Sequence, residues 1–312
     1  MTFSIKTLVA ITTISLSCVV TSSMAAQPLV SSQWLKSHLN DDNILILDIR
    51  SRLGGGSQKV FEHAHIPGAI YSNYLTAGWR VRNAQGTPNM LPDVARLEAL
   101  LSGVGIEEED HVIIIPAGKK AVDMGSATRV YWTLKVSGHA NVSILNGGFE
   151  NWLADKNNPI ETGKTEADPS IYTVNLRPEI LATKNDVRTA INDNITLIDN
   201  RPHDQFMGVN RHPASKRNGT IPGSKNIPES WLTQNGGGVF RTKESLVGIY
   251  ATKGLTTQDS EISFCNTGHW ASLGWFVSHE ILGNKNSKLY DGSMVEWTAD
   301  AEIPTKQHLL IN

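Results

Sequence analysis

The chain repeats itself, and that repetition constrains its fold more than any other feature. "ILILDIRSR" at 44–52 returns as "ITLIDNRPH" at 195–203, which aligns Asp48 with Asp199 and Arg50 with Arg201. "HIPGAIYSNYL" from His65 returns as "TIPGSKNIPESWL" from Thr220. "VSGHANVSILNGGFENW", ending at Trp152, returns as "ILGNKNSKLYDGSMVEW", ending at Trp297. Three blocks in the same order mean two copies of one unit. A chain of 312 residues has room for two domains of ordinary size, each with its own core. The polar stretch "DKNNPIETGKTEADPS" at 155–170, with Pro159, Gly163 and Pro169, reads as the linker. The predicted units are therefore 27–160 and 161–312.

Each unit reads as α/β. Short apolar runs ("ILILD", "HVIIIP", "NVSIL", then "ITLID", "EISF", "SKLYD") alternate with longer helical patterns such as "DVARLEALLSGVG" and "KESLVGIYATKG". Continuous apolar runs suit strands buried on both faces, and intervening helices imply parallel pairing. Gly103 or Gly105, and Gly254, stand where left-handed helix caps are expected. Ligands of such sheets gather beyond the carboxyl ends of the strands.

Residues 1–26 do not belong to this picture. Lys6 precedes an apolar centre from Thr7 to Val20, and small residues follow at Ser23, Ala25 and Ala26. That order predicts a cleaved secretory signal and hence a periplasmic protein. Crossing the hydrocarbon of a bilayer takes about 20 apolar residues; the threonines and serines here interrupt the run, so no membrane span is expected. Ser15 stands where a lipoprotein signal wants a branched apolar residue, which argues against a lipid anchor on Cys18. A net charge of −2, with 19% charged residues, leaves no basic footprint for nucleic acid.

Loss of the signal removes Cys18, one of only two cysteines. Cys265 then stands alone in an oxidising compartment, as a buried small hydrophobe, a partner for another chain, or a reactive thiol. It lies in "SFCNTGHWAS", just after the run "EISF", where the first unit has "PAGKKAVDMGSA" and no cysteine. A thiol needed for packing would be expected in both copies, so reactivity is the stronger reading. The backbone from Asn266 to Trp270 has the length to curl round the sulfur, with Gly268 as its left-handed residue. Inward N–H groups would then form an anion-binding nest. His269 could add charge or have no role. Thr267 and Ser272 offer hydroxyl bonds or a helix cap, and Trp270 offers either a lid or a packing surface.

The tandem units, the "HIPG" and "TIPG" steps, the "NGGFENW" and "DGSMVEW" blocks, and a cysteine loop in the second unit only resemble the two-domain rhodanese family of sulfurtransferases. The resemblance covers about Val30 to Thr305. It implies two tandem rhodanese-like domains, each a mainly parallel sheet flanked by helices, with the first catalytically silent. It implies Cys265 as the nucleophile, with Asn266, Thr267, Gly268, His269 and Trp270 cradling a persulfide. The implied partners are a small sulfur-donor anion, thiosulfate first, and a thiophilic acceptor such as cyanide or a thiol, which a periplasmic protein could supply. No metal or organic cofactor is implied.

This sequence departs from the family pattern near the thiol. Thiosulfate-using members carry a cation directly after the cysteine, and this chain has Asn266. Mercaptopyruvate-using members have glycine there and a threonine where this chain has Trp270. The donor-binding arginine of the family is replaced by Gln205 in "DQFMG", so Arg211, Lys216 and Arg217 are the candidates to supply its charge. Arg201 recurs as Arg50 in the silent unit and reads as a structural ion pair. A phosphatase of related fold would need an arginine six residues past the cysteine, to grip phosphate with both arms of its guanidinium; Ala271 stands there. A metal site on Cys265 and His269 lacks a third ligand. The remaining rivals are a mercaptopyruvate-using enzyme and a non-enzymatic persulfide carrier.

Overall fold

The structure, a computed structural model, describes residues 26–193 and 195–309. Residues 1–25, which hold most of the expected export signal together with Cys18, lie outside the described residues. Among those described, no helix is long and apolar enough to cross a membrane.

The first unit contains strands β1 (Leu29–Val30), β2 (Ile44–Asp48), β3 (Ile70–Tyr71), β4 (His111–Ile115) and β5 (Val142–Leu145). Its helices are α1 (Ser32–Ser37), α2 (Gln58–His63), α3 (Val94–Gly103), α4 (Ala121–Val136) and α5 (Gly148–Ala154). The second unit repeats the series with β6 (Leu181–Ala182), β7 (Thr196–Asp199), β8 (Lys225–Asn226), β9 (Glu261–Phe264) and β10 (Ser287–Tyr290). Its helices are α6 (Lys184–Asn192), α7 (His203–Met207), α8 (Lys243–Ala251), α9 (His269–Trp275) and α10 (Ser293–Ala299). The sheets are wholly parallel, ordered β1-β5-β4-β2-β3 and β6-β10-β9-β7-β8. The apolar runs of the sequence are the central strands of these sheets, and burial on both faces is why they lack polar alternation.

Local signals set the helix ends. Asp93 caps α3 by accepting the Arg96 N–H, and Thr242 caps α8 by accepting that of Ser245. Of the expected glycine caps, Gly105 (φ +77°) and Gly254 (φ +63°) are left-handed, whereas Gly103 remains inside α3. The segment expected as a linker is strapped to the first unit. Glu161 exchanges backbone bonds with His65, Ser170 N–H donates to the Ser102 carbonyl, and Arg177 N–H donates to that of Val136. These partners satisfy backbone groups that a polar composition alone would assign to solvent.

The two units share one core. Tyr131 and Trp132 of α4 join Trp275 and Phe276 of the second unit in a single apolar cluster, while each unit keeps a separate cluster on the outer face of its sheet. Tyr131 meets the Phe276 ring edge-on at 4.8 Å between centroids. Helix α4 is buried on nearly every side, because it packs on its own sheet and on α9 at once. Asn146, just past β5, and Asp291, just past β10, each bond the other unit, so loops at the carboxyl ends of both sheets meet the interface.

Candidate active site

Strand β9 delivers Cys265 to the carboxyl edge of the second sheet, where it is 1% exposed. The loop that follows is clamped from the start of α10. Ser293 Oγ accepts the N–H groups of Cys265 at 3.0 Å and Gly268 at 3.2 Å, and donates to the Tyr290 carbonyl at 2.8 Å. Met294 and Val295 N–H groups donate to the carbonyls of Cys265 and Asn266, both at 3.0 Å. Gly268 is left-handed (φ +74°), and a Cβ there would collide with Arg129 and Asp291, so glycine is required twice over. Among the described residues, no oxygen acceptor meets the N–H groups of Thr267, His269 or Trp270.

Strand pairing aligns Ile115 with Phe264, since they face Asp48 and Asp199 respectively. Pro116 of the first unit thus occupies the place of Cys265, and Phe149 N–H bonds its carbonyl as Met294 N–H bonds that of Cys265. Proline has no N–H to be clamped. The clamp is missing too, because Gly148 stands in the place of Ser293. Both positions are left-handed, at φ +56° for Gly148 and +48° for Ser293. A non-glycine residue there costs about 1–2 kcal/mol, and Ser293 bears that cost while supplying the hydroxyl. The silent loop fills its own nest: the Asp123 carboxylate accepts the N–H groups of Lys119 at 2.9 Å and Lys120 at 2.8 Å. Ser272, equally far past Cys265, turns its hydroxyl instead to the His269 carbonyl at 2.7 Å.

The predicted loop residues divide by role. Asn266 donates from Nδ2 to Oε1 of Gln205 at 2.9 Å, which joins these two candidates directly. His269 turns out of the loop into the first unit. Its Nε2 donates to the Val122 carbonyl at 2.8 Å, so its Nδ1 accepts from the Tyr74 hydroxyl at 2.7 Å. Burial, with Arg80 and then Arg129 nearby, pushes the His269 pKa down to about 3. The ring is neutral; the positive charge that the sequence allowed it to bring is absent. Gly125 is glycine for the same reason, since a side chain there would strike the His269 ring. Trp270 packs against the shared core, with its indole N–H buried and unpartnered.

The cations expected from the 208–219 loop are elsewhere. Arg211 is exposed, and Arg217 donates from Nη2 to the carbonyl of Asp300 at 2.6 Å. Asp300 follows the last turn of α10, whereas the cysteine loop meets the first turn, about 10 Å away along the helix axis. Arg201 pairs with Asp199 and reaches the Gly219 carbonyl, as Arg50 pairs with Asp48 and reaches that of Ala64. It is a structural pair in both copies.

The guanidinium groups near the thiol come from the first unit. Arg129 of α4 pairs with Asp291 at 2.6 Å, and Asp291 also accepts the Leu91 N–H at 2.5 Å. Arg80 lies with its guanidinium carbon 4.3 Å from the Tyr74 ring centroid. Burial lowers the pKa of Arg80, and Tyr74, Asp291 and Cys265 are all close enough to oppose that shift. Sequence reasoning missed Tyr74, Arg80, Arg129 and Ser293. Only Ser293 had a visible signal, the change from "NGGF" to "DGSM" between the repeats.

A duplicated parallel sheet with a clamped strand-to-helix turn, and a thiol on one copy only, defines a tandem-domain α/β protein with a single thiol site. The family model for the rhodanese-like domain matches residues 31–155 and 183–300. A Haloferax volcanii protein provisionally named thiosulfate sulfurtransferase is 31% identical over 294 residues, covering 88% of this chain and 95% of the relative. The 3-mercaptopyruvate sulfurtransferase of Escherichia coli K12 is 29% identical over 283 residues, covering 89% of this chain and 97% of the relative. The crystal structure of SseA from Escherichia coli, described as a 3-mercaptopyruvate sulfotransferase of rhodanese fold, superposes with a TM-score of 0.72 at 27% identity. That match covers 86% of this chain and 99% of SseA. The chain belongs to the rhodanese family, as a member with two rhodanese-like domains.

Proposed function

We propose that the protein is a sulfurtransferase that carries sulfane sulfur on Cys265, with thiosulfate as the donor. The observation that carries this reading is the contrast between the two turns: in the second the N–H groups that follow the thiol meet no oxygen acceptor among the described residues, and the first fills its nest with Asp123. An acceptor-free nest favours an anion on the sulfur. The sulfurtransferase names of the relatives support the same chemistry.

The Cys265 thiolate attacks the outer sulfur of thiosulfate. The S–S bond breaks, its electron pair leaves with sulfite, and Cys265 becomes a persulfide anion. The N–H groups of Thr267, His269 and Trp270 stabilise that charge, and the Ser293 clamp holds the loop open to it. In the second step cyanide or a thiolate attacks the terminal sulfur, and the cysteine thiolate leaves. This is covalent catalysis with a ping-pong signature.

Intact mass tests the reading. Incubation with thiosulfate should add one sulfur atom to the protein, cyanide should remove it, and Cys265→Ser should gain none. A protein that loads sulfur yet shows no steady turnover would instead be a persulfide carrier, the reading that Asn266 favours by standing where a cation is usual. We also infer export from the N-terminal signal. Amino-terminal sequencing of the protein released from the periplasm tests that, with a start at or near Gln27 expected.

A further inference from the structure

We propose that Arg80, from the silent first domain, is the cation that binds the oxyanion head of the sulfur donor. The proposal deepens the thiosulfate reading and rests on it.

Three arginines with fully buried side chains each meet a carboxylate: Arg50 with Asp48, Arg129 with Asp291 and Arg201 with Asp199. Arg80, which is partly buried, has no such partner among the described residues. Its Nε is enclosed without a hydrogen-bond partner, and among the described residues no carboxylate lies within ion-pair distance of it. Arg80 is partly buried, and with its Nε enclosed and no carboxylate beside it, its guanidinium is left free to meet an anion that is not part of the chain. Arg217 also has an enclosed Nε, but its Nη2 is satisfied by Asp300 at the far end of α10.

The place of Arg80 identifies that anion. Asp291 is paired with Arg129, so the charge of Arg80, close enough to Cys265 to feel it, has no carboxylate of its own among the described residues. His269 adds nothing, being neutral, and Asn266 and Gln205 are uncharged and bonded to each other. Arg80 is held by its stacking on Tyr74, whose hydroxyl is tied to His269 at the start of α9. The guanidinium is thereby placed relative to the cysteine loop by one contact within the first domain and one across the interface. A planar fork of N–H donors suits the three oxygens of a sulfonate head, while the sulfane sulfur points at the thiolate. The charge missing from position 205 is thus supplied by the other domain.

The test compares donors by single-turnover loading of Cys265, followed by intact mass. Thiosulfate carries an oxyanion head; inorganic polysulfide carries none. For Arg80→Gln, loading from thiosulfate should slow about a hundredfold at subsaturating donor, while loading from polysulfide stays within about twofold. Arg80→Lys should recover part of the loss, and Arg217→Gln should lose nothing. The melting temperature of Arg80→Gln should stay close to that of the wild type, because no carboxylate among the described residues loses a partner. Equal slowing with both donors would mean a structural role and would overturn the proposal, as would unchanged loading from thiosulfate. Wild-type protein that loads from polysulfide but never from thiosulfate would defeat the underlying donor reading instead.

Discussion

The two strand-to-helix turns start from the same backbone plan and end in opposite chemistry. Each follows the central strand of a parallel sheet, and each accepts two N–H groups from the helix that follows the next strand. The interface repeats the plan: Asp291 Oδ2 accepts Leu91 N–H from the first domain, and Asn146 Oδ1 accepts Phe240 N–H from the second. Three side chains separate the turns. Pro116 replaces the thiol and its N–H, Gly148 replaces the Ser293 clamp, and the Asp123 carboxylate occupies the silent nest. The same fold thus carries one turn that is filled and unclamped and one that is clamped around a thiol-bearing position. The first domain also borders the neighbouring turn, because its loop from Tyr74 to Leu91 bonds His269 and Asp291 of the second.

The comparison breaks most directly at the thiol. Cys265→Ser should abolish turnover, and adding Pro116→Cys to that variant should restore none, because Asp123 still occupies the silent nest; a steady-state assay with thiosulfate and cyanide reads both. Making the active turn resemble the silent one comes next. Ser293→Gly should lower kcat/KM about a hundredfold, or ~2.7 kcal/mol, by orphaning the N–H groups of Cys265 and Gly268. Its stability should change less, since relief of the left-handed strain offsets part of the loss. Full activity in Ser293→Gly would remove the clamp from the mechanism.

A smaller effect concerns the latch between domains. His269 titrates near 3 in the fold against an ordinary value of 6.5. Below pH 6.5 the unfolded chain binds a proton that the native state refuses. The latch contribution is therefore fully present above pH 6.5 and is lost as pH falls toward 3, at roughly 1.4 kcal/mol per pH unit. Glu229 and Glu261, both raised to about 7 mainly by burial, act in the opposite sense: their stabilisation is complete below pH 4.5 and is lost as pH rises through 7. Denaturant melts of wild type and His269→Gln between pH 4 and 6.5 isolate the histidine, and the variant should gain stability relative to the wild type as pH falls. The smallest effect belongs to the silent turn. Asp123→Ala should cost about 1–2 kcal/mol of stability by orphaning two N–H groups, yet alter turnover less than twofold.

Much of this arrangement was legible in the residues. The repeats, the apolar runs and the caps announced two parallel α/β domains, because strand burial and helix capping are local consequences of side-chain pattern. The position of Cys265 beyond "EISF", and its absence from the other copy, pointed to one reactive turn. Gly268 was readable as its left-handed residue, since only glycine adopts that backbone without cost. Ser293 was half-visible as a departure between repeats, but nothing local shows that its hydroxyl turns back on a loop 28 residues upstream.

Only the tertiary structure decided which charges meet the thiol. The sequence directed attention to Arg211 and Arg217 because they stand near position 205, and it left His269 free to carry a proton. Packing of α4 on α9 instead buried His269 as a neutral latch and brought Arg80 and Arg129 to the site from more than a hundred residues away. Periodicity and capping act over a few residues along the chain, so a sequence displays them. Electrostatic partnership and desolvation act through space, and they take their values only once two surfaces have closed on each other.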